Sequence, residues 1–210
     1  MPTLVYLVRH GMTDWNLAHR LAGRLPGVSL NPQGRREAEA LAARLASVPL
    51  RQIVSSPLDR AQETAALIAR HHNLPVTTDG TFTEREYAVW QGLLASEIRD
   101  RFPEDARTDA EGGAVPGVEP VDAMAARMLA GVERLAAAHA GGAVVVISHA
   151  DPLRALVARI VGMPAAALRA VEIDTASLSR LRRRERTFVV DYLNSRSHLE
   201  TNGQAGRAGE

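Results

Sequence analysis

The chain has 210 residues, of which 46% are apolar and 23% charged, with 25 basic and 24 acidic side chains and a formal net charge of +1. This composition fits one soluble globular domain with enough chain to bury a core. It lacks the basic excess expected of a nucleic-acid or anionic-membrane binder. With no cysteine in the sequence, disulfides, thiolate metal sites and cysteine nucleophiles are excluded. No apolar stretch is long enough to span a bilayer. The N-terminal MPTLVYLVRH lacks the basic start and small-residue cleavage site of a secretory signal, so the expected location is the cytoplasm.

Residues 3–8, TLVYLV, form a near-continuous apolar run, which predicts a strand buried on both faces as in a parallel sheet. Asn31 as N-cap and Pro32 at the first helical position open a helix in which Ala38, Leu41, Ala42 and Leu45 recur at helical spacing. Residues 51–56 read as a short strand. Ser56 followed by Pro57 repeats the start signal, here for a helix running to about His71. A short strand is expected at 74–79 and a helix at 93–102. Residues 103–120, rich in Gly, Pro and acid, read as a long loop of the kind that often carries function. An amphipathic helix follows from residue 121, with Met124, Met128 and Leu135 in the core. Residues 143–147 give a second buried strand, ending on Ser148 and His149, and the next helix closes at Gly162. Final strands are expected near 170–173, 177–184 and 187–192. The basic run RLRRRER reads as the charged outer face of a strand pair.

Strands alternating with helices predict an α/β fold, a three-layer α/β/α sandwich around a central, mainly parallel mixed sheet. One domain is expected over residues 1–194, with an irregular substrate-side region at about 80–120. The polar, Gly-rich residues 195–210 read as a disordered tail. In open α/β sheets ligands bind beyond the carboxyl ends of the strands. Arg9 and His10 follow the first strand, Arg60 lies one turn into the helix after the second, and His149 follows the late buried strand. Two arginines and two histidines converging there would make an anion site near helix N-termini. A metal at the two histidines is not expected, because arginines repel a cation and no HxxH or carboxylate cluster is present. Asp151 reads as a carboxylate favoured by the helix N-terminus. His71, His72 and His139 lie at or near helix ends, and His198 falls in the tail.

With these residues in view, LVRHGMTDWN resembles the signature of the histidine phosphatase superfamily, which includes the cofactor-dependent phosphoglycerate mutases. IVSSPLDRAQETA, TEREYAVWQG and VVVISHADPLRAL resemble further blocks of that family, in family order over about residues 4–160. The resemblance implies a phosphoglycerate mutase-like fold and a metal-independent phosphomonoesterase of the histidine acid phosphatase type, needing no cofactor. His10 would be the nucleophile, forming a phosphohistidine, while Arg9, Arg60 and His149 hold the phosphoryl oxygens. Asn16 matches a position that often hydrogen-bonds phosphate, and the backbone N–H of Ala150 could add another bond. Glu84, eight residues before Gly92, aligns with the family's proton donor, with Glu86 as the fallback.

Three positions depart from the family pattern. Met12 replaces the usual Glu or Gln, Ala88 replaces a frequent glycine, and PGVEP stands where many members have Gly-Gly-Glu-Ser. A phosphoglycerate mutase-type transferase is the alternative function. Against it, the stretch after TEREYAVWQG is short and acidic where mutases carry a longer basic insertion. A non-catalytic phosphate binder is disfavoured because all five reacting residues are retained. The expected partner is a small phosphorylated substrate, with neither nucleic acid nor membrane. Oligomeric state is not legible, and a homodimer is left open.

Overall fold

The computed structural model describes residues 1–185 and 187–200. Its centre is β1 (Leu4–Arg9), β2 (Leu50–Ser55), β3 (Val76–Thr78), β4 (Ala143–Ser148), β5 (Leu178–Arg184) and β6 (Thr187–Ser195). They form one sheet in the order β3-β2-β4-β1-β5-β6. The β3–β2–β4–β1 half is parallel; β5 pairs antiparallel with β1, and β6 pairs antiparallel with β5. The helices are α1 (Asp14–Leu17), α2 (Pro32–Leu45), α3 (Asp59–Ala69), α4 (Ala95–Arg101), α5 (Pro103–Ala110), α6 (Val121–Ala138) and α7 (Ala150–Val161). Among the described residues no helix is long and apolar enough to cross a membrane.

Alternation along the central strands builds the three layers. Val5, Leu7, Val144 and Val146 pack on one face with Met128, Val132 and Leu135 of α6 and with Leu153 and Leu156 of α7. Tyr6, Val8, Val145 and Ile147 pack on the other face with Leu41 and Leu45 of α2 and Ile68 of α3. Successive side chains of a strand point to opposite faces, so a run apolar at every position belongs between two helical layers. All six residues of β4 are buried. The fold is therefore the expected α/β/α sandwich around a mixed sheet.

The helix signals hold at α2, where the Asn31 side chain accepts from the Gly34 N–H and Pro32 stands at the first helical position. They also hold at α7, where Gly162 ends the helix in the left-handed conformation at φ 75°. Four expectations need correction. Ser56 is not an N-cap, since α3 starts at Asp59 after an extended Leu58. Residues 103–110 form α5 rather than loop. Pro103 pre-sets the first turn, Glu104 and Asp105 favour its positive end, and the buried Asp109 is held by Arg85 at 2.7 Å. No strand forms at 170–173, and a 3-10 turn occupies Ala165–Ala170. The Val171 and Ile173 carbonyls accept from Arg154 and Arg9 instead of from a neighbouring strand. Residues 195–200 are also ordered, because Ser195 closes β6 and His198 in the following turn bonds the Ala176 carbonyl. The rest of the tail, 201–210, and Arg186 of the basic run lie outside the described residues. Arg180 and Arg182 of that run both pair with Asp191 across the β5–β6 hairpin.

The loop after β1 lies directly on α2. Met12 donates its N–H to Glu37 and accepts from the Asn31 N–H. A Cβ on Gly34 would fall 2.6 Å from the Met12 nitrogen, well inside van der Waals contact. Helix propensity alone would make Gly34→Ala stabilising by about 1 kcal/mol. The backbone clash reverses the sign, and a loss of about 1–3 kcal/mol is expected. Urea denaturation of the variant checks this, and a gain in stability would contradict the packing.

Candidate active site

The site lies at the carboxyl ends of β1, β4 and β2. The β1–β4 register pairs Arg9 with Ser148. One step beyond it, the His10 N–H donates to the Ser148 carbonyl at 3.1 Å, and the His10 carbonyl accepts from Ala176 at 3.0 Å. The Gly11 N–H donates to Thr64 of α3. The backbone on both sides of His10 is thereby fixed by three separate elements.

The His10 ring is 2% exposed. Its Nδ1 lies 2.7 Å from the Gly11 carbonyl, an acceptor only, so Nδ1 carries the proton. Arg60 Nε, a donor only, points at Nε2 from 3.2 Å. Both contacts select the tautomer with a lone pair on Nε2. Arg60 reaches this place from the first turn of α3 and donates a second bond to the Gly23 carbonyl at 2.9 Å. His149, the residue before α7, is buried with its ring centroid 5.1 Å from that of His10. Its Nε2 meets the Ser56 hydroxyl at 2.7 Å. When Ser56 donates that bond, the His149 proton is on Nδ1. Ser56, expected to cap a helix, instead orients the second histidine.

Several buried donors here have no partner. They are Arg9 Nε, Arg60 Nη1 and His149 Nδ1. Buried polar groups are normally satisfied, and three unpaired nitrogens on Arg9, Arg60 and His149, the residues grouped with His10, fit a site for anionic oxygens. Arg9 is anchored by its other end, Nη1 on the Ile173 carbonyl at 2.7 Å. Burial, then the charges of Arg60 and Arg9, holds the His10 pKa well below the ordinary histidine value. Burial, then Arg60, does the same for His149. Both rings are therefore neutral around pH 7, as a histidine nucleophile requires.

Glu84 stands in the segment after the 3-10 turn Gly80–Phe82. Burial and the nearby Asp151 raise its pKa to about 7, against the opposing pull of Arg60, the Arg85 N–H and Arg9. Glu86, the fallback acid, turns elsewhere: its Oε1 accepts from the Ala88 N–H and its Oε2 is 4.0 Å from Arg24. Ala88 has φ 46°, a conformation that favours glycine, in keeping with the expected family residue. The Asn16 Oδ1 accepts from the Thr13 N–H and hydroxyl, which leaves its NH2 end for a ligand. Ala150 opens α7, where backbone N–H groups have no intrahelical partner. Met12, Asn16 and the exposed His19 line a cavity that Arg9 also lines. Among the described residues no three His, Cys, Asp or Glu side chains form a group able to hold a metal.

Two networks supporting this site gave no sequence signal. Asp151 accepts from the Tyr87 hydroxyl and pairs with Arg154 at 2.8 Å. Burial would raise the Asp151 pKa, but Arg154, Tyr87 and Arg85 outweigh it and keep the carboxylate ionised. Glu119 binds Arg127 at 2.6 Å and Arg24 at 2.9 Å, and both arginines donate to the Glu84 carbonyl.

A sequence model of the histidine phosphatase superfamily (branch 1) matches residues 5–196. The chain belongs to this superfamily. Among its relatives, "Phosphoserine phosphatase 1" of Hydrogenobacter thermophilus is 33% identical over 196 residues, covering 92% of each chain. "Probable phosphoglycerate mutase GpmB" of Photorhabdus laumondii is 30% identical over 206 residues, covering 94% of this chain and 95% of the other. The solved structure titled "Bacillus stearothermophilus YhfR" matches with a TM-score of 0.89 at 28% identity, over 94% of this chain and all of that one.

The raised pKa of Glu84 has a consequence for stability. The native carboxyl keeps its proton up to about pH 7, whereas in the unfolded chain it releases it near 4.5. Its contribution is therefore complete below pH 4.5 and is lost as pH rises through 7. Glu84→Gln, which mimics the protonated form, is expected to be more stable than wild type at pH 8, with the difference shrinking toward pH 5. Denaturation midpoints at the two pH values check the sign.

Proposed function

We propose that this protein is a phosphatase that hydrolyses small phosphomonoesters through a phosphohistidine on His10, with Glu84 as proton donor and no metal ion or other cofactor. The observation that carries this reading is the His10 tautomer: Nδ1–H is committed to the Gly11 carbonyl and the Nε2 lone pair accepts from Arg60 Nε, on a histidine grouped with Arg9, Arg60 and His149, each of which has an unpaired buried nitrogen. A neutral imidazole held in this way is a competent nucleophile. The names of the similar proteins, phosphatases and probable phosphoglycerate mutases, support a phosphorylated substrate.

Nε2 attacks phosphorus, and the N–P bond forms as the bond to the ester oxygen breaks. Glu84 gives its proton to the departing alcohol oxygen. Phosphoryl transfer depends chiefly on positioning and charge stabilisation. Arg9, Arg60 and the His149 N–H take the equatorial oxygens, joined by the Asn16 amide and the Ala150 N–H. Glu84, now ionised, accepts a proton from water while the water oxygen attacks phosphorus. The N–P bond then breaks, inorganic phosphate leaves, and Glu84 is again protonated. A mutase-type transferase would share the first half and pass the phosphoryl to a second substrate hydroxyl instead of water.

Turnover of p-nitrophenyl phosphate in EDTA, beside a 3-phosphoglycerate mutase assay, separates these outcomes. Hydrolysis is expected to persist with chelator and to exceed mutase turnover. Loss of activity in EDTA would contradict the metal-free route. An acid-labile, alkali-stable phosphoprotein should be trapped in wild type and be absent in His10→Ala. Glu84→Gln should lower turnover of poor leaving groups about a hundredfold or more. In wild type, kcat/KM should fall as pH rises past about 7, where Glu84 loses its proton.

A further inference from the structure

A second cavity, of about 310 Å³, opens beside the phosphate site beneath α4 and α5. Leu21, Tyr87, Trp90, Ala95, Ile98 and Ala106 supply its apolar wall. It shares Leu21, Ala95 and Arg154 with the cavity that Arg9 and Asn16 line, so the two adjoin. Asp151, two residues after His149, lies on its floor, and Tyr87, three residues after Glu84, on its wall. Both elements that deliver the reacting groups therefore also border this cavity.

Its polar features have one direction. Trp90 is 3% exposed, and its indole Nε1–H has no partner. Both acids at the cavity are already neutralised, Asp109 by Arg85 and Arg169, and Asp151 by Tyr87 and Arg154. Arg99 of α4 lines the cavity as an exposed cation and has no ion-pair partner among the described residues. Among the described residues Arg99 is thus the unpaired cation of a cavity whose other charges are already paired and whose remaining wall is apolar. A ligand complementary to it has an apolar body and a hydrogen-bond acceptor, preferably anionic. A small zwitterion would fill little of the volume and would place its ammonium among arginines.

We propose that this cavity is the leaving-group pocket, built for a ring-sized apolar alcohol or phenol that bears a carboxylate or similar acceptor. The assignment rests on the phosphatase reading for the phosphate end and adds the class of substrate. The tyrosine and tryptophan side chains, Ile98 and the two alanines receive the ring. Arg99 receives the acceptor.

Binding of the phosphate-free alcohols tests the pocket without turnover. In titration calorimetry, 6-hydroxy-2-naphthoate should bind at least about tenfold tighter than 2-naphthol, and serine should not bind detectably. Arg99→Ala, a surface change, should reduce the naphthoate preference severalfold. Ala106→Leu, which fills the chamber, should weaken both naphthols about tenfold or more. Serine binding as tight as naphthoate binding, or naphthol affinities unchanged in Ala106→Leu, would overturn the assignment. The matching phosphate esters complete the test. Higher kcat/KM for phosphoserine than for 6-phosphonooxy-2-naphthoate would overturn the pocket and leave the phosphatase reading standing. Turnover of neither ester, with naphthoate binding intact, would overturn the phosphatase reading and leave the binding site.

Discussion

The hydrogen bond from the His10 N–H to the Ser148 carbonyl extends the β1–β4 ladder one residue past the strand ends. Most of the site depends on it. Parallel pairing puts the carboxyl ends of two strands side by side, and a matched register brings the residues that follow them together. His10 and His149, 139 positions apart, thereby become neighbours. Because β1 and β4 are packed between two helical layers, neither can slip by one residue without turning its apolar side chains to the wrong face. The precision of the histidine pair is a by-product of core burial.

Electrostatics then completes what register begins. Two arginines beside two buried histidines would be unfavourable if the rings were charged, so both are held neutral. Each arginine anchors one end of its guanidinium on a carbonyl, of Ile173 for Arg9 and Gly23 for Arg60. That anchoring leaves Arg9 Nε and Arg60 Nη1 without a partner and holds them in place. Such donors need no reorganisation as charge moves during phosphoryl transfer. For Glu84, burial and Asp151 raise the pKa against the pull of the two arginines. One charge distribution thus favours a neutral nucleophile and a protonated acid near the same pH.

The sheet and its two helical layers were legible because they rest on local rules. Apolar runs at 3–8 and 143–147, the Asn31–Pro32 start and the Gly162 stop each report a short-range preference. Where reading failed, distant groups had taken over local functions. The carbonyls of Val171 and Ile173 are satisfied by arginines of α7 and β1, so an extended-looking stretch joins no strand. Asp109 looks like one more acid in a polar loop, yet its bond to Arg85 buries it and pins α5. Ser56 has the chemistry of a helix cap, and proximity to His149 gives its hydroxyl a different partner.

From the sequence alone follow the fold class and the identities of His10, Arg9, Arg60 and His149, because alternation, capping and the motif residues are written in short contiguous stretches. Only the tertiary structure decided which His10 nitrogen keeps its lone pair, since that choice is set by the Gly11 carbonyl and Arg60 together. It also gave Glu84 and Glu86, two residues apart in the chain, different surroundings. One faces Arg9 and Arg60, while the other closes a turn beside Arg24, a difference made by backbone direction and by partners from four other segments.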